Sequence, residues 1–150
     1  MKKYKRILVP VDGSKLSWLA FEQGSSLAKL VDGNVSIMHV IEIHYEAYPM
    51  PEGVSVLTAA TLLRSETEEH VKKLMEEYQE YAQKEGVRTK VLVKEGHVAN
   101  EIINESKGYD VVIMGTQGRN MLTSLLLGST AEKVVRHAHC PVMLVREKME

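Results

Sequence analysis

Two short segments combine glycines with hydroxyl and acidic side chains in a way that could bind an anion. One is Pro10-Val11-Asp12-Gly13-Ser14; the other is Met114-Gly115-Thr116-Gln117-Gly118-Arg119, with Gly128-Ser129-Thr130 following Gly118 after nine intervening residues. Glycines permit positive φ and close backbone approach, so successive N–H groups can converge on one point. A helix opening at Gly128-Ser129-Thr130 adds free N–H donors, hydroxyls and the positive end of the helix dipole. Phosphate is the group such a cradle suits. Asp12 cannot meet a phosphate without an intervening cation, and is better used to accept from an adenine amine or a ribose hydroxyl. A purely structural use stands beside each of these roles. Ser14 and Ser129 have the chemistry of helix N-caps, and Asp12 can cap or fix the turn that carries it.

Each of these segments ends an apolar run. Five such runs, rich in β-branched residues, recur along the chain at 6–11, 35–41, 87–93, 110–114 and 141–145. The first, fourth and fifth are nearly continuous, as in strands covered on both faces, whereas 87–93 alternates like an edge strand. Amphipathic stretches separate them. Ser14 to Leu30 offers an inner face of Trp18, Phe21, Ser25, Ala28 and Leu30. From about Thr58 to Glu85, Leu62, Val71, Leu74, Met75, Tyr78 and Tyr81 recur at helical spacing until Gly86 stops the pattern. Shorter helices are expected over 98–106 and 130–137. Strand and helix thus alternate through all 150 residues, which predicts an α/β fold. It is expected to be a single domain with a parallel sheet and helices on both faces; in a five-stranded order 3-2-1-4-5 the first and fourth strands would be neighbours. In such sheets ligands sit beyond the carboxyl ends of the strands, where the strand order reverses. The first and fourth strands flank that point, so both glycine segments face one crevice.

The joint pattern resembles the ATP-binding branch of the universal stress protein family. Gly115-x2-Gly118-x9-Gly128-Ser129 carries the resemblance, along with Ile7-Leu8-Val9-Pro10-Val11-Asp12-Gly13-Ser14, His39-Val40 and Cys140-Pro141-Val142. It covers essentially the whole chain. The resemblance implies a five-stranded Rossmann-like sheet, ATP at the switch point and a homodimer formed through the last strand, Pro141 to Val145. It places Pro10, Val11, Asp12 and Val40 around the adenosine, and Met114, Gly115 and Gly118 along the ribose and phosphate path. Gly128, Ser129 and Thr130 would hold the phosphates, with Mg2+ or Mn2+ arriving on the ATP. Arg119 falls in the spacer, where the family pattern fixes no residue, and is a phosphate candidate by charge alone. His139 stands where the family favours proline or a small residue, and this departure touches the approach to the last strand.

Composition narrows the alternatives. Nineteen basic and twenty acidic side chains give a net charge of −1, spread evenly, which offers no electrostatic case for nucleic acid or an anionic membrane. No apolar run approaches the roughly 18 residues of a membrane span, and Ile7 to Val11 is too short for a signal-peptide core. The expected location is the cytoplasm. The single cysteine, Cys140, excludes an internal disulfide. His137, His139 and Cys140 cross a helix end at a spacing that does not aim three side chains at one metal. Glu68, Glu69, Glu76 and Glu77 alternate with lysines as solvated helix pairs, and the methionines are chiefly core fillers. Met121-Leu122 and Leu125-Leu126-Leu127 make the spacer apolar enough to pack or cover a ligand. The connection from His44 to Ser55 is long for a compact domain, as functional or mobile loops are.

The glycines lack the lysine of a Walker motif, and no base is evident for activating water. The expected function is therefore that of a nucleotide-dependent switch or stress-response factor acting on an unidentified protein partner, with at most slow hydrolysis. Two alternatives stand beside it: a nucleotide-dependent hydrolase of the same lineage, and a dimeric interaction module that binds no nucleotide. An apolar fifth strand at a sheet edge favours pairing with its twin, unless Arg146, Glu147 and Lys148 guard it.

Overall fold

In the computed structural model, which describes residues 4–42, 52–117 and 126–147, strand β1 (Arg6–Pro10) lies at the centre of a parallel sheet. Its Ile7, Leu8 and Val9 are fully buried because helices cover both faces. The other elements follow in alternation: α1 (Lys15–Val31), β2 (Asn34–Ile41), α2 (Val56–Glu85), β3 (Thr89–Glu95), α3 (Val98–Glu105), β4 (Val111–Gly115), α4 (Ser129–His137) and β5 (Val142–Val145). The strand order is β3-β2-β1-β4-β5, all neighbours parallel. This is the order expected from the sequence.

Side chains alternate across β1 and sort the core into two layers. Ile7 and Val9 pack with Phe21 and Ala28 of α1 and with Val71, Met75 and Tyr78 of α2. Leu8 packs on the other face with Met38, Val112 and Met114, under Ala99 and Ile102 of α3 and Ala131 and Val134 of α4. Strand β3 alternates between half-buried and exposed residues, as an edge strand does. At the amino ends of β1 and β4, Asp110 is buried and takes the Arg6 guanidinium at 2.9 Å and the Arg6 N–H at 2.9 Å.

Two expected core residues lie outside the core. Leu30 is 84% exposed, because the inner face of α1 runs through Ser17, Phe21, Gly24 and Ala28, and Leu30 sits some 200° further round from Ala28. Leu62 is 59% exposed. Helix α2 has 30 residues and so runs about 45 Å, far beyond the short strands beneath it. Among its described residues, the buried ones begin only at Val71. An apolar periodicity continues along the helix after the sheet has ended.

The helix ends are capped locally. Ser14 Oγ accepts from the Ser17 N–H at 3.2 Å, Ser55 Oγ from the Thr58 N–H at 3.1 Å, and Gly86 closes α2 in the left-handed region. At α4 the expectation for Ser129 is corrected: Gly128 holds the N-cap position with no side-chain cap, and Ser129 is the first helical residue. Of the long connection, residues 44–51 lie outside the described residues, as do Gly118, Arg119, Met121, Leu122 and Leu125. Leu126 and Leu127, at the end of the spacer, are 59% and 42% exposed.

Candidate functional site

Strand β1 keeps register with β2 over five residues, from Arg6 to Pro10, but with β4 only at Ile7 and Leu8. Beyond Leu8, β1 and β4 part. The gap between their carboxyl ends is a crevice of about 360 Å³. Of the residues expected to bind a ligand, Pro10, Val11, Asp12, Val40, Met114, Gly115, Gly128, Ser129 and Thr130 all line it. Gly118 and Arg119 lie outside the described residues. The sequence reading left out several lining residues: Met38, His39, Glu42, Val98 and Gln117. Met38 was within reach, since it lies two residues from Val40 and so shares its face of β2.

One wall is built from β2. Met38 O accepts from the Val11 N–H at 2.8 Å, whereas Ile41 O accepts from the Gly96 N–H on the β3 side at 3.0 Å. Backbone groups in a parallel strand alternate sides, so the N–H and C=O of Val40 point the same way as those of Met38. Pro10 is the last β1 residue in register with β2. The Val40 backbone pair therefore faces the crevice. His39 Nδ1 lies 2.8 Å from the Val11 carbonyl oxygen and donates to it, which fixes the backbone on the β1 side.

The opposite wall joins the β4 turn to the start of α4. The Gly128 N–H donates to Thr116 O at 2.8 Å, and Gln117 Nε2 donates to Leu126 O. These bonds bring the first turn of α4, at Ser129, Thr130 and Ala131, onto the crevice. Backbone N–H groups in a first turn lack helical acceptors. Gly115 has a packing reason as well, because a Cβ there would lie 2.9 Å from Leu16 Cβ. No lysine or arginine is among the described lining residues, whose charged side chains are Asp12 and Glu42. Positive potential toward an anion thus comes from the end of α4. Among the described residues, no group of three or more His, Cys, Asp or Glu side chains is placed to hold a metal.

Asp12 is tied into its own turn. Its Oδ1 accepts from the Ser14 N–H at 2.9 Å, and Gly13 bridges them with φ of 80°. Beneath the turn lies Tyr78, fully buried, its ring stacked 4.0 Å from Trp18 and edge-on to Phe21 at 5.1 Å. Burial pushes the Tyr78 hydroxyl up to about 12, against the opposing effects of Ser17 and of the Gly13 backbone beside it. The sequence marks Tyr78 as a core residue, and nothing in its spacing shows that its hydroxyl reaches this turn.

An open parallel sheet, helices on both faces and a cleft at the strand reversal define a Rossmann-like α/β domain. The chain belongs to the universal stress protein family, whose family model matches residues 3–146. It is 36% identical over 146 residues to universal stress protein MJ0531 of Methanocaldococcus jannaschii, covering 96% of this chain and 83% of that protein. The solved structure of MJ0577, from the same organism, superposes with a TM-score of 0.84 at 28% identity, covering 99% of this chain and 100% of that one. A universal stress protein from Archaeoglobus fulgidus, solved in complex with dAMP, superposes with a TM-score of 0.63 at 16% identity over 97% of this chain and 100% of that one. At that identity the likeness shows the fold alone. Among the described residues no helix is long and apolar enough to cross a membrane.

Proposed function

We propose that the chain binds ATP in the crevice between β1 and β4 and acts as a nucleotide-dependent switch. The observation that carries this reading is the Val40 backbone pair on one wall, facing the open start of α4 on the other. An N–H beside a C=O matches the N1 acceptor and N6 amine of adenine, and mismatches the N1–H and O6 of guanine. Met38, Val98 and Ile102 supply apolar surface for the base. The N–H groups of α4, with Ser129 and Thr130, receive the phosphates. Mg2+ or Mn2+ enters on the phosphates and offsets their repulsion from Asp12. A family relative solved with dAMP fits a nucleotide cleft of this kind.

The same proposal includes at most slow hydrolysis, an unidentified protein partner, a cytoplasmic setting and a homodimer through β5. Edge exposure supports the dimer, since Met143 is 45% exposed on a strand with an open side. Glu147 pairs with Lys15 of the same chain, so it is not held ready to guard that edge.

Titration calorimetry of nucleotide-free protein with ATP and Mg2+, AMP and GTP tests the reading. ATP is expected to bind, with GTP weaker by about tenfold or more, the equivalent of roughly 1.4 kcal/mol for one mismatched pair. Absence of heat with every nucleotide would reject the proposal in favour of the ligand-free interaction module.

A further inference from the structure

The hydroxyl of Tyr78 spans 61 residues of sequence to reach the crevice turn, at 2.9 Å from Ser17 Oγ. The donors around it can be ordered. Ser17 Oγ donates its one proton to Ser14 O at 3.0 Å, so the Tyr78 hydroxyl donates to Ser17 Oγ. The Gly13 backbone lies beside its oxygen. The Asp12 N–H, 3.4 Å from Ser17 Oγ, approaches the same centre. One chain of donors thus runs from Tyr78 through Ser17 to Ser14 O, and it closes the underside of the turn whose upper side presents Asp12 to the crevice.

We propose that Tyr78 is a positioning residue for the ligand: its hydroxyl, delivered from α2, sets the Asp12-Gly13-Ser14 turn in the geometry that receives the nucleotide. A phenylalanine would pack the same ring against Trp18 and Phe21, so the core does not require the hydroxyl. What the hydroxyl adds is a donor for Ser17, which is 5% exposed, directly under a turn whose Gly13 sits in the left-handed region with φ of 80°. Because α2 supplies this contact, a displacement of α2 is felt at the ligand. The inference rests on the nucleotide reading above and deepens it.

The test is ATP titration of the full chain as wild type, Tyr78→Phe, Ser17→Ala, the double variant and Val35→Ala, with Gly13 amide exchange followed by NMR in the absence of nucleotide. Tyr78→Phe and Ser17→Ala are each expected to weaken ATP by about three- to tenfold, the span of one lost buried hydrogen bond. The double variant should lose no more than the larger single loss, since both break one chain. Gly13 exchange should accelerate in Tyr78→Phe. Val35→Ala, in the same core layer but at the amino end of β2, should lower stability and leave affinity unchanged; a shared loss of affinity would make the Tyr78 effect mere destabilisation and overturn the proposal. Wild-type affinity in Tyr78→Phe, or additive losses in the double variant, also overturns it while leaving the nucleotide site intact. If Tyr78→Phe does not fold, Ser17→Ala, which keeps the ring, carries the same comparison. A wild-type protein that binds no ATP refutes both this inference and the reading beneath it.

Discussion

A charge placed at the start of α4 should move stability and affinity in opposite directions. Ser129 is exposed and is the first residue of the helix, so Ser129→Asp disturbs no packing. In the free protein the new carboxylate faces the positive end of the dipole and stabilises by about 0.3–1 kcal/mol, which raises Tm by about 1–3 °C in a domain this size. With ATP bound, the same carboxylate lies roughly 5 Å from a phosphate if α4 is the cradle. At an effective dielectric of ~20–60 that costs about 1–3 kcal/mol, or roughly sixfold to two-hundredfold in affinity. The assay pairs thermal unfolding with ATP titration for Ser129→Asp and its neutral isostere Ser129→Asn, at low and high salt. The Asp variant should be the more stable and the weaker binder, its deficit should shrink as salt rises, and AMP, with fewer phosphates, should lose less than ATP. Equal ATP affinity in the Asp and Asn variants would refute the placement of phosphates at α4.

Three further outcomes follow from particular contacts. Gly115→Val would set a Cβ 2.9 Å from Leu16 Cβ and should destabilise by about 1–3 kcal/mol in urea unfolding, while also displacing the β4 turn and weakening ATP. Since burial raises Tyr78 from 10.0 to about 12, the folded state holds that proton more tightly than the unfolded chain. Its contribution is therefore complete below pH 10 and is lost as the pH climbs through about 12, by an amount on the order of 2–3 kcal/mol. Chemical unfolding across that window should show the fall, and Tyr78→Phe should flatten it. If the chain pairs through β5 as proposed, Met143→Glu should leave a monomer of 16.9 kDa by light scattering, with little change in Tm, because Met143 is already exposed.

The sheet was legible in the sequence because burial on both faces writes an uninterrupted apolar run at β1 and β4, and one exposed face writes the alternation of β3. The expected strand order, 3-2-1-4-5, is the one that sets the two glycine turns side by side. What failed was the extent of the inner faces. Leu62 obeys the periodicity of α2, but periodicity does not record where the sheet underneath stops. Leu30 is apolar and close to the end of α1, yet the rotation per residue turns it away. Ser129 has the chemistry of an N-cap, but the Gly128 N–H is taken by Thr116 O, and the helix starts one residue earlier than the hydroxyl suggests. The Tyr78 contact was invisible for another reason. Its ring satisfies the core pattern fully, so the spacing leaves no residue of evidence that its oxygen has a second task.

The parting of β1 and β4 has a kinetic consequence. These two strands are zipped at the amino end by the Arg6–Asp110 pair and share only two residues of register before they diverge. The opening is a product of strand order and sheet twist, present before any ligand arrives. Walls built on strand ends and helix starts lose little freedom when a ligand settles between them, so little ordering entropy opposes association. Entry between these strands should proceed at encounter-limited rates, and variants of the walls should change residence time far more than arrival.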